Sequence, residues 1–212
     1  GQVVKPLAED EVRTAVQRLA DTQVEAIAVC YLFSFLNPVH ELRTREIIRE
    51  TLPDVYVSLS SEVLPQVREF ERLSTTLVNA YITPHLRRYL QRLDTELRQR
   101  GFHGEVFIMQ GNGGVVGLEQ ACTHGVQALL SGPASGVVAG AYLGQVSGFK
   151  DVITVDMGGT SFDVCLVQDG RPKTGTDQWM SRYRVAVPFI DIHTIGAGGG
   201  SIAWVDEGGA LR

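Results

Sequence analysis

Long apolar runs, clustered basic residues, paired cysteines and the short signatures of common nucleotide and hydrolase sites are all missing from this sequence. No apolar run reaches the roughly 20 residues that a membrane-spanning helix needs, and the first residues show no signal-peptide pattern. The 19 lysines and arginines are scattered among 24 acidic residues, for a formal charge of -5. That balance argues against a nucleic-acid partner, although a nucleotide can still be held by backbone amides. The three cysteines, Cys30, Cys122 and Cys165, lie far apart without metal or disulfide spacing. They read as reduced thiols in a cytoplasmic protein. There is no Walker A loop and no G-x-S-x-G elbow, so neither that phosphate loop nor a Ser/His/Asp hydrolase is indicated. Internal repeats and low-complexity tracts are absent too.

What is present points to a layered α/β chain. Hydrophobic residues make up 44% of the 212, enough for a core and too many for disorder. Ala8, Val12, Ala15, Val16 and Leu19 share a helical face over 7–20. The run from Ala26 to Phe35 is continuously apolar and predicts a buried strand, broken at Asn37-Pro38. A helix over Glu41–Leu52 and a strand over Val55–Leu59 complete a β-α-β order. The longest helical signal runs from Glu69 to about Arg100. Leu73, Leu77, Ala80 and Tyr81 share a face in its first half, and Leu86, Leu90, Leu93 and Leu97 in its second. Pro84 is expected to kink or split it, and Gly101 to stop it. Arg68, Glu69, Glu71 and Arg72 read as a solvated ion-pair face at its start.

Much of the glycine content, 23 residues, falls after residue 100, where tight turns and close backbone approach are expected. Strands are predicted over Glu105–Met109, Asp151–Val155, Ser161–Gln168 and Tyr183–Ile190, with a small-residue helix over Ala134–Leu143. Asp169-Gly170 is a hairpin signal.

The strongest motif is Asp156-Met157-Gly158-Gly159-Thr160-Ser161-Phe162-Asp163-Val164. An apolar strand delivers Asp156 to a glycine turn and a second apolar strand leaves it. Gly158 and Gly159 let backbone amides approach phosphate oxygens with no Cβ in the way. Thr160 and Ser161 add hydroxyl donors. Asp156 would repel a phosphate, so its sensible role is to hold a hydrated Mg²⁺ that bridges to it. The bland alternative is an ordinary hairpin turn. A second loop, Gly196-Ala197-Gly198-Gly199-Gly200-Ser201, suits a flat or anionic ligand against the backbone, but glycine loops are common. Just before it, Asp191 and His193 are spaced to share a strand face. They could be a metal pair, a proton relay or a structural pair; positioning or acid–base work is favoured, because a metal needs three or four ligands. Asn112-Gly113-Gly114 and Ser131-Gly132-Pro133 read either as plain turns or as cleft lining. His40, His85, His103 and His124 show no ligand spacing.

In their order, these motifs resemble the hydantoinase A/5-oxoprolinase family. The resemblance is carried by Ser60-Ser61-Glu62-Val63-Leu64-Pro65, Arg68-Glu69-Phe70-Glu71-Arg72, Ser74-Thr75-Thr76 and Asn79-Ala80-Tyr81. Ile108-Met109-Gln110 with Asn112-Gly113-Gly114, Ser131-Gly132-Pro133-Ala134, Asp156–Val164 and Thr194–Ile202 continue it over nearly the whole chain. Gly111 and Ser135 are mild departures from its pattern. The resemblance implies the actin, sugar-kinase and heat-shock ATPase superfamily, with two ribonuclease-H-like halves that each give ATP a phosphate loop. It assigns Asp156–Asp163 to the second half's loop and places Gly198, Gly199, Gly200 and Ser201 near the nucleotide or substrate. It further implies Mg²⁺ and ATP as cofactors, a cyclic amide such as a hydantoin or 5-oxoproline as substrate, and a hydantoinase B-type subunit or domain as partner. Related carboxylases activate ketones, and a non-hydrolytic activator ATPase of the same fold is a third reading.

The fold expected is therefore a partial ribonuclease-H-like (actin-like ATPase) α/β fold, a mixed sheet with flanking helices. Residues 1–65 would end the first half, 66–150 would hold the long helix and a connecting region, and 151–212 would start the second half. No acidic glycine loop precedes Asp156, which reads as a fragment that folds without turning over ATP alone.

Overall fold

In the computed structural model, residues 1–180 and 182–211 are described. The elements in chain order are α1 (Glu9–Ala20), β1 (Ala26–Val29), α2 (Val39–Thr51), β2 (Tyr56–Leu59), α3 (Ser60–Val63), α4 (Glu69–Gln99), β3 (Phe107–Met109), β4 (Val115–Gly117), α5 (Leu118–Ala121) and α6 (Ser131–Val146). Then come β5 (Val152–Met157), β6 (Phe162–Gln168), β7 (Arg171–Pro172), β8 (Thr174–Gly175), β9 (Gln178–Met180), β10 (Tyr183–Val185), β11 (Phe189–Ile190) and β12 (His193–Ile195). They fall into two compact units. One comprises Gly1–Ile108, Val115–Leu129 and Thr176–Pro188; the other comprises Met109–Gly114, Leu130–Gly175 and Phe189–Arg212.

The first unit is built on the expected β-α-β order. β1 and β2 pair in parallel, Ala26 opposite Tyr56 through Val29 opposite Leu59. The apolar faces of α1 and α2 close over them, with Val16, Ile27, Val29, Ile48 and Leu59 as the buried core. β1 is shorter than the apolar run. The chain turns after Val29, and Phe33 takes a left-handed φ of 59°, a conformation that ends extended pairing.

α4 departs further from the sequence reading. It runs unbroken for 31 residues through Pro84. Its first half does not bury the Leu73, Leu77 and Tyr81 face, and Tyr81 is 77% exposed. It buries the polar residues Arg72, Thr75, Thr76, Asn79 and Thr83 instead, all at 0%. The reason is a set of backbone and hydroxyl partners. Ser74 Oγ accepts the Arg184 amide at 3.0 Å and Thr75 Oγ1 accepts the Ala186 amide at 3.0 Å, which fastens β10 to the helix. Asn79 donates to Ser58 Oγ and to the Tyr56 phenol, each at 3.0 Å, and accepts the Val126 amide at 3.1 Å. Thr83 Oγ1 accepts the Gly125 amide at 3.2 Å. Each hydroxyl or amide satisfies a buried backbone group that would otherwise carry a desolvation penalty.

Arg72 is accordingly not part of a solvated ion-pair face. It donates to the carbonyls of Tyr31 and Gln66 and lies over the Phe35 ring at 5.3 Å. The Tyr31 amide in turn donates to Glu41 Oε1 at 2.9 Å. Glu41, also fully buried, accepts the Ser60 hydroxyl at 2.6 Å and the Ser61 amide at 2.8 Å. The backbone of one residue, Tyr31, thus meets two buried charges of opposite sign, its amide on Glu41 and its carbonyl on Arg72.

The second unit is an antiparallel sheet in the order β12-β6-β5, with β7 also paired to β6. Parallel pairing among the described strands is confined to β1 and β2, so in place of the expected mixed sheet the strands form separate small sheets, each parallel or antiparallel. Asp169 and Gly170 both take positive φ, 49° and 73°, as the β6–β7 hairpin turn demands. α6 packs on β5 and β6, with Ala134 and Val137 against Cys165, Val167, Ile190 and Ile192. Three glycines of α6 at four-residue spacing meet alternate residues of β5. A Cβ at Gly144 would lie 2.9 Å from Val152, one at Gly140 2.5 Å from Thr154, and one at Gly136 3.9 Å from the Asp156 carboxylate. Four helical residues rise about as far as two strand residues, which keeps this ladder in step. The opposite face of β5, with Ile153, Val155 and Met157, is exposed.

Candidate functional site

The β5–β6 register places Asp156 directly opposite Asp163, with Thr154 opposite Cys165 and Val152 opposite Val167 on the same face. On the next strand Thr194 stands opposite Asp163. Asp156, Asp163 and Thr194 therefore form one row across three strands, on the face that α6 covers. Two carboxylates directly opposed on neighbouring strands repel one another, and a cation between or above them relieves that repulsion. The Asp156 carboxylate has no hydrogen bond or ion pair among the described residues. Asp163 accepts the Thr194 hydroxyl at 2.5 Å and, more weakly, that of Ser161 at 3.4 Å.

The turn between the strands is closed by the Gly158 amide donating to the Ser161 carbonyl at 3.1 Å. The amides of Gly159 and Thr160 donate to no described acceptor, and nothing lies within 4 Å of a Cβ built at Gly158 or Gly159. The residues thus fit a phosphate that approaches the backbone, with a cation held nearby. Among the described residues no group of three or more His, Cys, Asp or Glu could cage a metal ion. That donor set suits a hydrated Mg²⁺, which keeps most of its waters, better than a dedicated metal cage.

The second glycine loop meets the first. The Gly199 amide donates to the Gly158 carbonyl at 2.9 Å, and the Gly198 amide donates to Ser201 Oγ at 3.0 Å. A Cβ at Gly198 would lie 2.6 Å from the carbonyl carbon of Gly159 and 2.7 Å from the Thr160 nitrogen. Gly198 is therefore a glycine because its α-carbon rests on the 159–160 peptide. Of the amides expected to face a ligand, that of Gly199 is engaged in holding the first loop and that of Gly198 in closing its own, while the Gly200 amide donates to no acceptor among the described residues.

Asp191 and His193 are not brought together with Asp156. His193 stands opposite Val164, which itself faces Val155, so it lies on the sheet face away from the carboxylate row. Asp191 sits between β11 and β12 and pairs with Lys173 at 2.9 Å. Hydrogen bonding and the charge of Asp191 hold the Lys173 ammonium above its ordinary pKa. Burial pushes the neighbouring Cys165 thiol up, which makes it an inert core residue rather than a nucleophile. Asn112 Oδ1 accepts the Gly114 amide at 2.7 Å, and Gly113, at a φ of 84°, packs tightly under Val138 and Ile190. Ser131, Gly132 and Pro133 form the first turn of α6. Thr194 escaped the sequence reading, because its partner is visible only once the β6–β12 register is known.

The geometry defines a mixed α/β protein with a glycine turn between antiparallel strands and a carboxylate on each strand. Its sequence is more specific: the chain belongs to the Hydantoinase/oxoprolinase family, which it matches over residues 72–212, with the family's N-terminal region matched over residues 1–52. Caprolactamase subunit alpha from Pseudomonas jessenii is 42% identical over 212 residues, covering 100% of this chain and 30% of that protein. The crystal structure of that ATP-dependent caprolactamase superposes with a TM-score of 0.86 over 98% of this chain and 30% of its own. A nucleotide-free acetone carboxylase superposes with a TM-score of 0.84 at 31% identity, over 99% of this chain and 30% of that one. The 5-oxoprolinase of Saccharomyces cerevisiae is 34% identical over 210 residues, 95% of this chain and 15% of that protein. The chain thus spans about 30% of the length of the caprolactamase relative. Among the described residues no helix is long and apolar enough to cross a membrane.

Proposed function

We propose that this chain carries part of the nucleotide site of an ATP-dependent enzyme that opens cyclic amides, of the hydantoinase/5-oxoprolinase type. The observation that carries the proposal is the opposed pair Asp156 and Asp163 beside a glycine turn whose Gly159 and Thr160 amides have no acceptor among the described residues. In this reading those amides, with the Thr160 and Ser161 hydroxyls, bind phosphate oxygens. Asp156 orients the water shell of Mg²⁺, and Asp163 supplies the second negative charge. Mg·ATP, when bound, supplies the phosphoryl group that converts a poor amide electrophile into one with a good leaving group. Gly198, Gly199 and Ser201 hold the turn in shape, and Gly200 is left for the ligand. Asp191, committed to Lys173, and His193, on the other sheet face, serve positioning rather than direct contact with phosphate.

The unit that contains β5, β6 and β12 is read as the start of a second ribonuclease-H-like half of an actin-like ATPase, in a cytoplasmic protein that works with a hydantoinase B-type subunit or domain. The relatives include a caprolactamase, a 5-oxoprolinase and a ketone carboxylase, so ketone carboxylation is the competing activity. The test is calorimetric titration of ATP, with and without Mg²⁺, into the complete natural polypeptide. Product analysis with caprolactam, a hydantoin, 5-oxoproline and acetone plus bicarbonate follows. Mg²⁺-dependent ATP binding that Asp156→Asn removes supports the site, and ring-opened product supports the amide branch. Unaltered binding in Asp156→Asn rejects the site; a carboxylated ketone with no ring opening rejects the amide branch.

A further inference from the structure

We propose that Thr194 is a positioning residue that fixes the Asp163 carboxylate opposite Asp156, with β12 and its glycine loop acting as a brace for the phosphate turn. The inference rests on the reading of Asp156 and Asp163 as a cation-organising pair. A carboxylate placed straight across from another relieves repulsion by turning away unless donors restrain it. Asp156 has no restraint among the described residues, whereas Asp163 takes a 2.5 Å hydrogen bond from Thr194. The Ser161 hydroxyl, at 3.4 Å, is too distant to do this alone.

The loop that follows β12 then touches the turn at two further points: the Gly199 amide on the Gly158 carbonyl and the Gly198 α-carbon on the 159–160 peptide. Three contacts tie one short strand and its loop to both the carboxylate and the turn backbone. Thr194 is itself exposed, where a single hydroxyl–carboxylate bond contributes little to folding. Its effect belongs to the orientation of Asp163 and, through it, to the charge offered to a cation.

The experiment is calorimetry of ATP with and without Mg²⁺ on the complete natural polypeptide carrying Thr194→Val or Thr194→Ser, with thermal unfolding followed in parallel. Thr194→Val should weaken ATP·Mg binding about tenfold, as loss of an outer-sphere partner does, and leave Mg²⁺-free ATP binding within about twofold. Thr194→Ser, which keeps the hydroxyl, should stay within about twofold of the parent. In an Asp163→Asn background, Thr194→Val should add nothing. Parent-like ATP·Mg binding by Thr194→Val would overturn the inference. So would equal damage by Ser and Val, or an undiminished Val effect without the Asp163 carboxylate. Should Val disturb the strand, Thr194→Ala provides the same comparison. Asp156→Asn is the control that separates the two readings. If it is defective while Thr194→Val is normal, only the positioning role fails. If both are normal, the cation–phosphate reading has failed and takes this one with it.

Discussion

The two units use polar residues in opposite ways. In the first, Glu41, Arg72, Asn79 and Thr83 are fully buried, and their hydrogen bonds hold β2, α3 and neighbouring loop amides to the helices. In the second, Asp156, Gly159 and Thr160 lie on the surface with donors and acceptors unengaged by described residues. A polar group satisfied inside the protein specifies structure, since losing its partner leaves a costly orphan. A polar group held at the surface of a rigid turn with nothing to bind is available for a ligand. The contrast assigns structural work to the first network and chemical work to the second, and substitutions can break it.

The largest effect should come from Glu41→Ala. It would leave the Tyr31 and Ser61 amides without their acceptor and take from the Ser60 hydroxyl its 2.6 Å partner, leaving that hydroxyl to Ser34 Oγ. A loss of about 3–5 kcal/mol is expected, read by urea unfolding. A loss below about 1 kcal/mol would show that the buried network is dispensable and blur the comparison. Asp156→Asn should do the reverse. ATP turnover in the complete polypeptide should fall by about two to three orders of magnitude, while the unfolding free energy moves by no more than about 0.5 kcal/mol, as at other exposed positions. A large stability change would move Asp156 into the structural class.

Gly159→Val sharpens the same point. Gly159 has no positive φ and open space around its Cβ position, so a side chain there meets no strain in the turn itself. The variant should unfold like the parent and bind ATP·Mg at least about tenfold more weakly, because only the ligand is crowded. His193→Ala, on the far sheet face, should leave ATP·Mg affinity unchanged; a clear loss would place the imidazole nearer the nucleotide than the register does.

The smallest effect concerns Lys173 and Asp191. A lysine whose pKa is raised by folding adds stability that is fully present below its ordinary value of 10.5 and is lost as pH rises through the folded value. Thermal midpoints of the parent should therefore converge on those of Asp191→Asn above pH 10.5. Because the pair is exposed, the gap at neutral pH should be no more than about 2 °C.

Much of the architecture could be read before any coordinates. The β-α-β order around α2, the long helix and the Asp156–Asp163 strand–turn–strand follow from apolar periodicity and glycine placement. The first half of α4 could not be read that way, because spacing rules assume that apolar residues face inward. Leu73, Leu77 and Tyr81 carry the periodic signal, yet the buried side is Arg72, Thr75, Asn79 and Thr83, whose partners are backbone amides, carbonyls and hydroxyls, most of them far away in sequence. The row Asp156, Asp163 and Thr194 was half legible. Period two fixes which residues of one strand share a face, but only pairing fixes which residues of different strands stand opposite. The same limit put Asp191 and His193 on paper beside the glycine loop, where register then turned His193 to the far side.

The glycine ladder of α6 also constrains how this sequence can drift. At Gly140 a methyl group would meet the Thr154 Cγ2 at 2.5 Å. Serine at 154 removes that methyl and keeps the hydroxyl that faces the Cys165 carbonyl. Positions 140 and 154 are therefore a coupled pair for inheritance: alanine at the first should be tolerated only where the second has already shrunk, so the order of the two changes matters. Gly136 carries no such debt to packing, since its added carbon would sit at ordinary contact distance, 3.9 Å, from the Asp156 carboxylate. Related lineages that abandon the acidic pair should be free to fill position 136, while position 140 stays tied to the size of its neighbour on the strand.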